Sequence, residues 1–208
     1  MVELPGVGAC PRPVDIDQSV TGFSDLVSLR VYTFACGMVI DGEAEEDELF
    51  IVLMRGTIDV EVAGASTNSF TLQTNVGARA VYLPPHDRYR LRARSDADVA
   101  YTRAKPRVDI ARIARAFECV DGSLTILGYA DSMSVALSAA THSGDRALSE
   151  LAAPGGERLI HARLNDSGAI WVAGQPLHDW QTLALNRDDG GNVEQATGSA
   201  TILVVASA

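Results

Sequence analysis

The sequence predicts an all-β protein built as two similar halves, and three observations carry that prediction. Its apolar stretches are short and closed by Gly, Asn, Asp or Pro, the pattern of a sandwich or barrel. Helical periodicity surfaces in one place, RVDIARIARAF at 107–117, where Ile110, Ile113 and Phe117 share a face and Asp109 can cap the start. Finally, Gly37 and Gly56 stand 19 positions apart, as do Gly155 and Gly174, and each pair brackets a polar loop followed by an apolar strand. That spacing reads as one supersecondary unit used twice.

In chain order the first strands are LVSLRVYTFA (26–35), ELFIVLMRG (48–56), TIDVEVAG (57–64), SFTLQT (69–74), RAVYLPP (79–85), YRLRAR (89–94) and ADVAYTRA (97–104). Gly56 closes the second of these before a hairpin, where positive φ is cheap only for glycine. After the 107–117 helix come SLTILGYA (123–130), SVALSAAT (134–141), ALSELAA (147–153), ERLIHARL (157–164), GAIWVAG (168–174), DWQTLAL (179–185), NVEQAT (192–197) and ATILVVAS (200–207). ELFIVLM and ATILVVAS are continuously apolar, as expected of strands covered on both faces. The reading divides the chain into an extension (1–19), an N-terminal barrel (20–106), a connecting helix (107–117) and a C-terminal barrel (118–208).

Composition narrows the function. At 208 residues, 47% apolar and 21% charged, the chain is an ordinary globular one. No apolar run approaches the roughly 20 residues of a membrane span, and MVELPGVGACPRP lacks the basic cap and apolar stretch of a signal peptide, so a soluble cytoplasmic protein is expected. A net charge of -10 repels phosphate backbones, so neither nucleic acid nor membrane is an expected partner. Lys105 is the single lysine beside 16 arginines, which removes a phosphate loop of the G-x-x-x-x-G-K type. Cys10, Cys36 and Cys119 are scattered without a C-x-x-C, against a disulfide framework or zinc knuckle.

The paired glycines resemble the frame of the cupin family, G-x5-H-x-H-x3-E-x6-G, whose histidines and glutamate hold a divalent metal inside a small β-barrel. On Gly37–Gly56 the frame puts Glu43 and Glu45 at the histidine positions and Leu49 at the glutamate; on Gly155–Gly174 it puts His161, Arg163 and Ser167 there. The second cupin motif resembles Gly77–Ala93 with one extra residue before Pro84, so that His86 stands for the turn glycine, Tyr89 for the metal-binding histidine and Ala93 for the asparagine. Over about 26–106, LRVYTFACG, DELFIVLMRGTIDVEV and GARAVYLPPHDRYRLRARSDADVAYTRAKP are similar to the N-terminal half of the 5-deoxy-glucuronate isomerase family, bicupins of inositol catabolism. The resemblance implies two jelly-roll barrels, a largely structural N-terminal one and a metal held by a His-rich loop of the C-terminal one. If the chain is an enzyme, the implied reaction is isomerisation of a sugar acid.

With one ligand position of six retained, the expected function is a bicupin without metal or other cofactor, retained to bind a small polar or carboxylated molecule or to interact with a partner. The alternative is a metal-dependent isomerase of uronate-like sugars built around His161. The ligand-binding candidates are Glu43, Glu45, Tyr89, His161 and Arg163. In the cupin frame Glu43 and Glu45 lean inward near Tyr89, where close carboxylates would raise one pKa and serve as acid and base. His142 and His178 are further imidazoles without diagnostic spacing. The acidic stretch 41–48 reads as a solvated loop. Arg88, Arg90, Arg92 and Arg94 alternate with Tyr89, Leu91 and Ala93, which turns the guanidinium groups outward. There they can bind an anion, pair with the acidic loop or line a two-fold contact, giving a monomer or a homodimer.

Overall fold

The structure is a computed structural model that describes residues 11–64, 67–106, 113–119, 123–126, 135–142, 146–147, 156–164, 168–172, 174–189 and 193–207. The first half holds β1 (Val14–Asp17), β2 (Leu26–Phe34), β3 (Val39–Glu43), β4 (Glu48–Arg55), β5 (Thr57–Ala63), β6 (Thr67–Gln73), β7 (Ala78–Leu83), β8 (Arg88–Ala93), β9 (Ala97–Ala104) and β10 (Arg115–Glu118). One helical turn, Gln18–Thr21, follows β1, and the Asp17 carboxylate caps it by accepting the Ser19 N–H. The second half holds β11 (Ser123–Ile126), β12 (Val135–His142), β13 (Arg146–Ala147), β14 (Arg158–Leu164), β15 (Ile170–Val172), β16 (Gln175–Leu177), β17 (Thr182–Leu185), β18 (Val193–Ala196) and β19 (Ala200–Ser207). Among the described residues no helix is long and apolar enough to cross a membrane.

Four antiparallel sheets result. The first half forms β1-β2-β9-β4-β7-β10 and β3-β8-β5-β6; the second forms β11-β12-β19-β14-β17 and β13-β18-β15-β16. Adding ten to each label carries β2-β9-β4-β7 onto β12-β19-β14-β17, and β3-β8-β5-β6 onto β13-β18-β15-β16. The strand order is therefore duplicated. Three apolar clusters follow from it: Leu49, Ile51, Leu53, Val60 and Leu91 fill the space inside the first sheet pair, and Ile160, Ala162, Leu164, Ile202 and Val204 the space inside the second. Leu29, Val31, Phe50 and Val52 meet Leu159, Leu203 and Val205 in the cluster that joins the halves. β4 and β19 lie mid-sheet with both faces covered, which accounts for their unbroken apolar sequence.

Polar groups stitch the same contact. The buried Glu157 carboxylate accepts the backbone N–H groups of Ser24, Asp25 and Leu26, and also the Ser24 hydroxyl. Burial raises its pKa, but those donors outweigh it and hold the group below the usual carboxylate value. Asp98, fully buried, accepts from Thr33 Oγ1 (3.1 Å), Arg55 Nε (2.8 Å) and, across the halves, Arg163 Nε (3.2 Å).

Two expectations are corrected. The part of 107–117 from Arg115 onward is not helical: Arg115–Glu118 is a strand paired with β7, because an open sheet edge supplies hydrogen-bond partners that a four-residue stretch cannot supply for itself. Residues 107–112 lie outside the described residues. The glycine spacing also misstates the repeat. Gly56 separates β4 from β5, whereas Gly174 separates β15 from β16, the counterparts of β5 and β6. Both glycines do take left-handed backbone, with φ of 92° and 72°; Gly155 lies outside the described residues.

Candidate functional site

The polar residues of the first half converge on a cavity between β2 and β9 of one sheet and β3 and β8 of the other. Its volume is about 70 Å³, room for about five water molecules at about 10–15 Å³ each on this measure. β2 supplies Ser28, Arg30, Tyr32 and Phe34; Ile40 and Tyr89 come from β3 and β8, and Tyr101 and Arg103 from β9. Strand alternation accounts for most of these positions, since Arg30 pairs with Tyr101 and Ser28 with Arg103 across the ladder, while Leu29 and Val31 face the other half.

Ser28 owes its place to a bulge. The register with β9 shifts between Leu26 and Ser28, so Leu26 packs in the contact between halves while Ser28, two residues on, faces the cavity. Without the extra residue the hydroxyl would follow Leu26 to the other side. Ser28 is 3% exposed, and its Oγ has no hydrogen-bond partner among the described residues.

The aromatic wall is ordered by ring contacts. Tyr32 stacks on Phe34 with centroids 5.9 Å apart and meets Tyr101 edge-on at 5.4 Å, and Tyr101 lies 5.9 Å from Tyr89. Burial pushes the Tyr89 hydroxyl up to about 12 against the lowering hydrogen bond with Tyr101, so Tyr89 stays protonated at neutral pH. Arg103 is anchored to the turn after β3: Nη2 donates to Glu43 O (2.6 Å), and Nη1 to Ala44 O and to Glu45 Oε2 (3.2 Å). Arg30 is freer. Its Nε donates to Asp15 Oδ1 at 3.0 Å, an oxygen pair shared with Arg12, while its terminal N–H groups have no partner among the described residues.

Of the predicted site residues, Tyr89 lies on the cavity wall, with its ring over Gly42. Glu43 and Glu45 do not lean inward beside it. Tyr89 pairs with Gly42 and Arg88 with Glu43, so alternation puts Glu43 outside, 42% exposed and 3.4 Å from Arg88. Glu45 is 71% exposed against Arg103, and the acid–base pair is not assembled. Three of the four outward arginines are paired within the chain: Arg88 meets Glu43, Arg90 makes a two-pronged contact with Asp41 (2.7 and 3.1 Å), and Arg94 meets Asp59. His86, at the turn-glycine position, takes φ of 68°.

His161 and Arg163 also face away from the expected interior. On β14, Ile160, Ala162 and Leu164 fill the second sheet pair, which turns Leu159, His161 and Arg163 toward the first half. His161 is fully buried, 2.9 Å from Thr182 Oγ1 through Nδ1, with Nε2 unpartnered. Desolvation lowers its pKa to about 4, with Arg163 acting in the same direction. Arg163 lies over the Trp180 ring at 4.4 Å and holds Asp179 at 2.8 Å. A divalent metal, implied by the family resemblance for the C-terminal half, does not fit these residues: one imidazole beside a permanent cation is not a donor set. Among the described residues no three His, Cys, Asp or Glu side chains converge on one point. Ser167 and the side chain of His142 lie outside the described residues.

Sequence reasoning missed Ser28, Arg30, Tyr32, Tyr101 and Arg103. The signal for the last four was there: Arg30, Tyr32 and Phe34 alternate with Leu29 and Val31, as Tyr101 and Arg103 do with Ala100 and Thr102.

Among the described residues helix is confined to one turn, and the rest is all-β with a duplicated antiparallel strand order. The chain belongs to the KduI/IolB family, which matches residues 11–121 and relates it to the 5-deoxy-glucuronate isomerases. Nothing among curated proteins matches it. Among solved structures it is similar to an IolB-like protein from Salmonella typhimurium LT2 (TM-score 0.65, 15% identity, 97% of this chain and 90% of that one). It is also similar to YhhW from Escherichia coli (0.64, 14%, 91% and 84%) and to protein Ylba from E. coli (0.60, 14%, 98% and 85%). At these identities the likeness is one of fold.

Proposed function

We propose that the two sheet pairs are two cupin barrels, and that this bicupin, related to sugar-acid isomerases, binds a small polar, carboxylated molecule in the first barrel without a metal. The observation that carries the reading is the cavity wall: Arg30, Arg103, Ser28 and three tyrosines line it, and among the described residues no carboxylate side chain does. Such a wall offers guanidinium and hydroxyl donors in a partly desolvated space, where charge-assisted hydrogen bonds are strongest. Aromatic rings and a few convergent polar groups are the ordinary composition of a small-molecule site.

A metal-dependent uronate isomerase would need several nitrogen and oxygen donors around open coordination positions. The unpartnered Nε2 of His161 is the feature that favours it, and the adjoining Arg163 guanidinium opposes it. Elemental analysis of protein purified without chelator, and again after dialysis against Zn, Mn, Fe and Ni, separates the two readings. Metal well below one equivalent is expected; one retained equivalent of any of the four overturns the metal-free reading.

A further inference from the structure

We propose that the ligand is a flat, unsaturated carboxylate of the benzoate kind, with its carboxylate on the free edge of the Arg30 guanidinium and its ring against the aromatic wall, and that a polyhydroxylated sugar acid is a poor fit. The inference rests on the binding reading above and deepens it by naming the ligand's chemical class.

The body of the wall is the first reason. Tyr32, Phe34, Ile40, Tyr89 and Tyr101 line the cavity with rings and hydrocarbon. The rings differ in orientation: Tyr32 lies nearly parallel to Phe34 (7°), Tyr101 stands edge-on to Tyr32 (85°), and Tyr89 is tilted by 36° to Tyr101. A mixed array of this kind presents ring edges as well as ring faces, the two surfaces between which a further aromatic ring packs.

A shortage of acceptors is the second. Every hydroxyl of a sugar acid brings a proton that needs an acceptor once water is left behind. The guanidinium groups of Arg30 and Arg103 only donate. Of the hydroxyls on the wall, those of Ser28 and Tyr101 are buried out of a ligand's reach, that of Tyr89 is hydrogen-bonded to Tyr101, and that of Tyr32 accepts from Arg12. β2 and β9 lie mid-sheet, so their backbone carbonyls are taken by neighbouring strands. A ring that carries one carboxylate asks for none of these acceptors.

Arg30 is the third. Arg103 is engaged by two backbone carbonyls and Glu45. The Arg30 side chain is 36% exposed, is held through Nε alone and keeps its terminal N–H groups, the fork that meets a carboxylate side-on. Tyr32 stands next but one on the same face of β2, so a carboxylate on Arg30 brings the ring it carries to the aromatic wall.

The test is calorimetric titration of the full-length protein with benzoate, benzamide, cyclohexanecarboxylate and glucuronate. Benzoate is expected to bind most tightly. Benzamide keeps the ring without the charge, and glucuronate keeps the charge and adds hydroxyls; each should bind about tenfold or more weaker. Cyclohexanecarboxylate, of the same charge without a π face, should bind about threefold or more weaker. Arg30→Gln is expected to weaken benzoate about tenfold or more with little change in melting temperature, since its ion pair is exposed. Tyr32→Leu should bring benzoate and cyclohexanecarboxylate to equal affinity, and a preference that survives there overturns the part given to Tyr32. Equal binding of benzamide, or unchanged affinity in Arg30→Gln, overturns the carboxylate contact. Equal binding of cyclohexanecarboxylate by the parent protein overturns the aromatic class. Binding of glucuronate with failure of benzoate overturns the proposal while the binding reading stands. Failure of all three acids on folded protein overturns both.

Discussion

β9 and β19 occupy the same place in the two strand orders, yet they face their interiors with different chemistry. β9 turns Tyr101 and Arg103 inward, and with Arg30 and Tyr32 of β2 they leave a polar cavity. β19 turns Ala200, Ile202 and Val204 inward, against Ile160 and Ala162 of β14, and the described residues there pack as an apolar cluster. Buried Glu157 and His161 and half-buried Arg163 face the first half instead. One strand order thus carries a polar cavity in the first half and, among the described residues, an apolar cluster in the second. A ligand site depends on which face of a strand carries the polar residues, and fold alone does not decide that.

The largest effect should come from breaking the docking. In Glu157→Ala the N–H groups of Ser24, Asp25 and Leu26 lose their acceptor at once, and an unsatisfied buried donor costs about 1–3 kcal/mol. With water partly replacing the carboxylate, a loss of about 4 kcal/mol is expected in urea unfolding. A loss under about 1 kcal/mol would mean that the apolar contact alone holds the halves together.

A second effect, of about 3 kcal/mol, concerns pH. The unfolded chain protonates His161 near its ordinary 6.5, while burial holds the folded group at about 4. Its neighbours are Thr182 on β17, Arg163 and Asp179 with opposed effects, and Asp98 across the contact. The folded pKa is the lower one, so the folded state has its full stability above 6.5 and loses about 1.4 kcal/mol per unit as the pH falls toward 4. Glu157 adds its own loss only below the ordinary carboxylate range, since its folded pKa is depressed too. Urea midpoints measured between pH 7 and pH 4 should fall for the parent protein and stay flatter for His161→Leu; parallel curves would place the titrating group elsewhere.

Much of this contrast was legible in the sequence, and the remainder was hidden for physical reasons. Alternation in YRLRAR set Tyr89 and the arginines on opposite faces, the resemblance to the cupin frame implied that Tyr89 is the inward one, and the unbroken apolar runs marked β4 and β19 as covered on both faces. β3 was read as loop because it opens an acidic run; it is strand because Asp41 and Glu43 meet Arg90 and Arg88 of β8, and partners distant in sequence leave no local period. Ser28 was invisible because nothing in LVSLRVYTF marks the residue at which the ladder slips. His161 was assigned to an interior by a glycine spacing that is coincident rather than homologous, and one strand's difference in register turned it to the opposite face.

The smallest effect on stability, and the most pointed for the cavity, is expected at Gly42. A β-carbon there would stand 2.4 Å from the Tyr89 ring carbon Cζ and from its hydroxyl oxygen, so the ring must pivot. Away from Gly42 it meets Tyr101 and the cavity. The atoms that clash are the far end of a side chain rather than backbone, so Gly42→Ala should cost only about 1 kcal/mol, the low end of overpacking, while driving the ring into the ligand's space. Calorimetry with a panel of small carboxylic acids should then show binding weakened out of proportion to the small shift in the urea midpoint. Undiminished affinity in a folded Gly42→Ala protein would show that the ligand site does not depend on where Tyr89 sits, and would remove that tyrosine from the wall that recognises it.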